Sequence, residues 1–230
     1  METTIYHVLS RGVDKRKIFM DDEDYLRFIH DLFEFNDKEP TLNIGYLFKN
    51  QKNQYIDLRS QYIEKRRKRK FLVNILAFCL MPNHYHLLIR PAVENGITLF
   101  MRKLNIGYAK YFNNKYERKG ALFEGRYKSI SITDQSHFIH LPYYIHLNSL
   151  DLKFPGWRNK EIKNYKEAMK YLENYRWSSF QDYIGKKNFP SVTQREFLLE
   201  FFEGSPNYKK DTLKWLKEMD WEEIKQTTLE

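Results

Sequence analysis

The fold is decided between Phe71 and Pro91, in the stretch FLVNILAFCLMPNHYHLLIRP. Phe71 to Leu80 is an apolar run of strand length, rich in β-branched and aromatic residues. Met81-Pro82-Asn83 follows with turn chemistry, because proline presets one backbone angle and asparagine tolerates a tight bend. His84 to Arg90 is then a second strand, and the two segments read as a hairpin. Successive side chains of a strand point to opposite faces. His84 and His86 therefore share one face, while Tyr85 and Leu87 share the other.

Upstream, Ile5 to Leu9 reads as a short strand ending at the Arg11-Gly12 turn. From Asp22 to Phe35, the residues Tyr25, Phe28, Ile29, Leu32 and Phe33 recur at helical spacing, behind acidic residues that suit a helix N-terminus. Downstream, Leu99, Phe100, Leu104, Tyr108, Tyr111 and Phe112 mark a helix from Ile97 to Tyr116, and Gly120 stops it. A strand from Tyr127 to Ile132 follows, then a helix from Gln135 to Leu150 that contains Pro142. Strand, helix, two strands, helix, strand is the order of a ferredoxin-like α+β fold: an antiparallel sheet with helices on one face. Residues 39–70 read as a basic insertion, with a strand over Leu42–Phe48 and a helix over Ile56–Arg69. Residues 1–150 are thus expected to form one domain, and 151–230 a helical extension.

The composition narrows the partners. A chain of 230 residues with 42% hydrophobic content can bury a sizeable core, and its formal charge of +9 favours nucleic acid or an anionic surface. Aromatic residues make up 17% of the chain; such rings can stack on unpaired bases, and many of them belong to the core. Cys79 is the single cysteine, which excludes an intrachain disulfide framework and a multi-cysteine zinc site. Its apolar surroundings predict a buried, inert thiol. No apolar stretch is long enough to span a bilayer, so a cytoplasmic protein without membrane contact is the expectation.

The second chemical signal is Tyr143-Tyr144-Ile145-His146-Leu147-Asn148. In a helix, residues four apart are offset by about 40° and residues five apart by about 140°. Tyr144 and Asn148 share a face, and Tyr143 points elsewhere. Two neutral imidazoles and an amide oxygen would leave coordination positions open on a hard cation, which can polarise a phosphate oxygen. A phenol, with a pKa of about 10, needs such help to act as a nucleophile.

The stretches LMPNHYHLLIRP, LFEGRYKSI and YIHLN, in this order, resemble the single-tyrosine HUH transposases, and in particular the REP-associated tyrosine transposases. YRWSSFQDYIG also resembles a segment that follows the catalytic domain in that group. The resemblance implies a ferredoxin-like fold, a Mg²⁺ or Mn²⁺ ion, and cleavage of single-stranded DNA beside a hairpin or palindromic element, by a monomer or homodimer. Carried over by motif, His84, His86 and Asn148 would be metal ligands and Tyr144 the nucleophile, forming a 5′-phosphotyrosine. Two positions depart from the family pattern: Pro142 interrupts the tyrosine helix, and Ser149 stands where the family often has proline.

Lys65, Arg66, Arg67, Lys68, Arg69 and Lys70 form a cationic run suited to a DNA backbone, and Arg102, Lys103, Lys110, Arg126 and Lys128 are further candidate contacts. Two other readings stay open: a non-catalytic, RRM-like module that binds single-stranded nucleic acid, and a metallohydrolase that activates water. If residues 65–70 touch phosphates of single-stranded DNA, each charge removed by Lys/Arg-to-Gln replacement flattens the plot of log affinity against log salt by about 0.7. Turnover at saturating DNA should change little. An unchanged slope would assign the run to solvent.

Overall fold

A computed structural model describes residues 4–39, 69–132, 135–218 and 229. Its elements run β1 (Ile5–Arg11), α1 (Asp22–Glu34), β2 (Val73–Met81), β3 (His84–Pro91), α2 (Gly96–Lys115), β4 (Lys128–Ile132) and α3 (Gln135–Leu147). Two 3₁₀ turns follow, Asn148–Leu152 and Pro155–Asn159, and then α4 (Tyr165–Asn174), α5 (Phe180–Tyr183), α6 (Glu196–Phe201) and α7 (Ser205–Glu218). The sheet is antiparallel throughout, in the order β2-β3-β1-β4. That is the ferredoxin-like arrangement expected from the element order. The strand and helix expected over Leu42–Phe48 and Ile56–Arg69 lie outside the described residues, Arg69 excepted.

One face of the sheet packs on α1 and α2. Val8, Phe78, Leu80, Tyr85, Leu87 and Ile89 meet Phe28, Leu32, Phe100, Leu104 and Tyr108 in one buried cluster. The side chain of Asp21 caps α1 by accepting from the Asp24 amide at 3.0 Å. Lys115 at the end of α2 reaches back to Asp21 and Asp24, both at 2.9 Å, and so ties the two helices together at that end. Gly107 explains how closely α2 approaches the end of α1: a Cβ there would sit 2.4 Å from the Phe35 ring.

The opposite face carries Ala77, Cys79, Met81 and Leu88, and it is covered by α3 and the chain beyond it. Cys79 is fully buried there. Pro142 lies inside α3 without ending it, at the cost of one backbone hydrogen bond. The helix stops at Leu147, three residues short of the sequence expectation, where Asn148 donates its side-chain Nδ2 to the carbonyl of Tyr144 at 2.9 Å and the chain tightens into a 3₁₀ turn.

Residues 175–194 close the outer edge of β2. Leu80 donates to Trp177 O at 2.9 Å, Ser179 donates to Phe78 O at 3.0 Å, and Gln194 donates to Ile75 O at 2.8 Å. The hydroxyls of Tyr175 and Tyr183 donate to Leu80 O and Leu76 O, both at 2.6 Å. An open edge strand is a template for pairing with other chains, and these contacts remove it. Among the described residues, no helix is long and apolar enough to cross a membrane.

His146 joins the layers. Fully buried on α3, it meets Tyr208 Oη through Nδ1 at 2.6 Å and Ser179 Oγ through Nε2 at 2.8 Å. Burial holds its pKa down at about 3, against an ordinary value of 6.5. Between those values the unfolded chain binds the extra proton, so stability falls as pH falls. From pH 7 to pH 5 one such histidine lowers stability by about 2 kcal/mol. Urea unfolding at the two pH values should show His146→Gln losing less stability than the wild-type chain by about that amount. Equal losses would show that His146 does not drive the acid sensitivity.

Candidate active site

The site is set by sheet register. In the β1–β3 ladder Leu9 stands opposite His86, and Arg11 opposite His84. Cys79 and Met81 of β2 flank the same two histidines on the other side. Directly opposed residues share a face, so His84, His86 and Arg11 all point to the side covered by α3. His7 belongs to this face as well, two residues before Leu9. Its Nε2 lies 2.9 Å from Nδ1 of His86, and the two rings stack at 5.2 Å.

Tyr144 descends on this pair from α3. Its ring meets His86 edge-on at 5.9 Å and His7 edge-on at 5.8 Å. The side chain is fully buried, hydroxyl included. Tyr143 turns away into an aromatic cluster with Phe202, Tyr208 and Trp215. The nucleophile candidate and the histidine pair thus meet within one chain.

The imidazoles are oriented by their Nδ1 atoms. His84 Nδ1 lies 2.6 Å from Asn83 Oδ1, an acceptor, which assigns the proton to Nδ1 and the lone pair to Nε2. His86 Nδ1 is engaged by His7 Nε2, one of the two nitrogens donating to the other. The Nε2 atoms of His84 and His86 are buried. Burial, with the charges of Arg158 and Arg11 nearby, holds the His86 pKa at about 3, so the ring is neutral and carries a lone pair at physiological pH.

Asn148 is fully buried and held at both ends: Nδ2 donates to Tyr144 O, and Oδ1 accepts from Arg158 at 2.9 Å. Arg158 also donates to Asp151 and stands 6.0 Å from the Tyr144 ring centroid. An amide oxygen has a second lone pair, so Asn148 can accept from Arg158 and still offer one electron pair to a cation. Among the described residues there is no group of three His, Cys, Asp or Glu side chains able to hold a metal. A cation on His84 and His86 therefore needs amide, phosphate or water oxygens to complete its shell.

Residues 43–148 match the IS200-like transposase family. The match agrees with the resemblance read from the motifs. It spans both histidines, Tyr144 and Asn148, and leaves β1 with His7 and Arg11 outside, as well as the chain after Asn148. Among solved structures, the chain is similar to a REP-associated tyrosine transposase bound to a REP hairpin, at 12% identity and a TM-score of 0.46, over 83% of this chain and 84% of that one. No curated protein sequence matches the chain.

The cationic residues singled out in the sequence are scattered around this framework. Lys65, Arg66, Arg67 and Lys68 lie outside the described residues. Arg69 lies over the Phe33 ring at 3.8 Å and forms an ion pair with Asp37 at 3.6 Å, and Lys70 is exposed. Arg102, Lys103 and Lys110 ride on α2, across the sheet from the histidines. Lys103 is spent on the carbonyls of Asp37 and Glu39. Arg126 and Lys128 are exposed, and Lys128 stands opposite Leu9 on β4, in the same cross-strand row as His86. Sequence reading missed His7, Arg11 and Arg158. His7 sits on the recognised strand, and Arg11, read as part of the turn after it, lies at the end of a β1 two residues longer than expected; both have the same period-2 phase as Leu9, a signal that becomes usable once the register is known.

The double hold on Asn148 makes it a joint between α3 and the turn at Pro155–Asn159. Replacing it with alanine leaves Arg158 short of an acceptor and should destabilise the fold by about 2 kcal/mol. A urea midpoint equal to that of the wild-type chain would show that the joint carries no stability.

Proposed function

We propose that the chain is a metal-dependent transposase and endonuclease that cleaves and rejoins single-stranded DNA beside hairpins, with Tyr144 as nucleophile. The observation that carries this reading is the meeting of Tyr144 with His86 and His7 in one buried cluster. The family match over residues 43–148 supports it. A module that only stacks bases has no need to bring a phenol onto a buried histidine pair.

The donor set suits Mg²⁺ or Mn²⁺. His84 and His86 would hold the ion through Nε2, and Asn148 would supply an oxygen once its amide is shared with Arg158. When bound, the cation supplies Lewis-acid polarisation of a nonbridging phosphate oxygen. The neighbours Asn83 and His7 fix the two rings by their Nδ1 atoms, as outer partners of metal-binding histidines do. His86 stays neutral, so no proton has to leave before it can coordinate.

In the cleavage step the Tyr144 oxygen attacks phosphorus and the bond from phosphorus to the 3′ oxygen breaks. The phenolic proton leaves to solvent, and the departing oxygen takes one up. The products are a 5′-phosphotyrosine and a free 3′-hydroxyl. Because the new ester keeps the energy of the old linkage, the 3′-hydroxyl of another strand can reverse the step and rejoin DNA. One chain carries every residue this chemistry needs, whether it acts as a monomer or within a homodimer. A phosphodiester cannot reach a hydroxyl with no exposed surface, so the cover over Tyr144 has to open for DNA to enter.

Tyr144→Phe should bind a hairpin-bearing single-stranded oligonucleotide and form no covalent adduct on a denaturing gel, while Tyr143→Phe forms it. His84→Ala or His86→Ala should lower Mn²⁺ affinity and adduct yield together, about 10-fold or more. Adduct formation by Tyr144→Phe at the wild-type rate would sink the mechanism, and persistence of the wild-type adduct in EDTA would sink the metal.

A further inference from the structure

Charge is out of balance around the histidine pair. His86 is a neutral ring with two guanidinium groups close enough to act on it, those of Arg158 and Arg11. The two differ. Arg158 is answered by Asp151 and by the Asn148 amide. Arg11 forms no ion pair and no side-chain hydrogen bond with any described residue, although its Nε is buried. The residue is half-buried at the end of β1, directly across the ladder from His84 and on the same face.

A desolvated guanidinium nitrogen without an acceptor costs free energy, and the geometry that relieves it is a planar fork meeting two oxygens of an anion. We propose that Arg11 is the anion-binding residue of this site and seats a phosphodiester phosphate of single-stranded DNA beside His84. That the anion is DNA rests on the nuclease reading above; that an anion belongs there rests on Arg11 itself. Lys128, in the cross-strand row through Leu9 and His86, is the cation nearest in register for a neighbouring phosphate.

The placement has a consequence for the metal. A divalent cation on two neutral imidazoles is repelled by Arg11, and a phosphate between them attracts both. Cation and DNA therefore strengthen each other's binding, each by the same factor. Removing the Arg11 charge has opposite effects on the two ligands: DNA affinity falls, while cation affinity without DNA holds or rises. A residue that merely kept the sheet in shape would lower both.

The test uses the full chain with Tyr144→Phe, so that binding is read without covalent trapping. The probes are a hairpin-bearing single-stranded oligonucleotide, titrated at several salt concentrations, and Mn²⁺ alone, followed by electron paramagnetic resonance. Adding Arg11→Gln should weaken DNA binding about tenfold and flatten the salt slope by about 0.7, with Mn²⁺ affinity unchanged or higher. Arg11→Lys keeps the charge and loses the fork. It should retain the slope while affinity falls several-fold, and it carries the test if the glutamine variant does not fold. DNA affinity and slope equal to the Tyr144→Phe parent in Arg11→Gln, parent affinity in Arg11→Lys, or a joint loss of DNA and Mn²⁺ binding would each overturn the proposal. Failure of the wild-type chain to form an adduct would instead count against the nuclease reading and leave the Arg11 measurement interpretable.

Discussion

The register between β1 and β3 is the constraint on which everything at the site depends. Side chains alternate along a strand, so a slip of one residue would turn His84 and His86 into the cluster beneath α1 and α2 and bring Tyr85 and Leu87 out to meet α3. The slip is opposed from both sides of the sheet. Tyr85 and Leu87 are fully buried among Phe28, Leu104 and Tyr108, and Leu88 is fully buried beneath α3. Apolar packing on one face thereby fixes the polar constellation on the other.

That constellation is a polar layer inside a hydrophobic one. His7, His86 and Tyr144 meet one another through ring edges and a single imidazole–imidazole approach of 2.9 Å. Buried polar groups need partners, and the Tyr144 carbonyl accepts from Asn148, whose own oxygen accepts from Arg158. His146, two residues from Tyr144, faces the other way and is satisfied by Ser179 and Tyr208. A single helix thus lays one polar group toward the sheet and another toward the layer behind it.

The hairpin, the two histidines on one face, and the helical phase of Tyr144 against Asn148 are legible in the sequence because they follow from local periods of 2 and 3.6 residues. What is not legible depends on pairing at long range. The irregularity between Ile75 and Ala77 puts Leu76 and Ala77 in the same cluster, which an unbroken apolar run conceals. His7 and Arg11 sit on a strand whose existence is plain and whose partner residues are not. Arg158 reaches Asn148 across ten positions and two 3₁₀ turns that no periodicity announces. Lys103 looks like any charge on a helix surface until the turn at Asp37–Glu39 is folded onto it.

The segment that runs along β2 bears on how this protein can be cut and joined. Trp177 and Ser179 pair with the outermost strand much as an additional strand would, and Tyr175 and Tyr183 pin that pairing from either end. A shortened polypeptide ending at Asn148 would keep both histidines, Tyr144 and Asn148 and lack this border, baring the backbone edge from Ile75 to Leu80. Such a fragment would meet its own copies edge to edge. Fusion partners and affinity tags therefore belong before Ile5 or after α7, and shortened versions of the chain should run at least through Gln194.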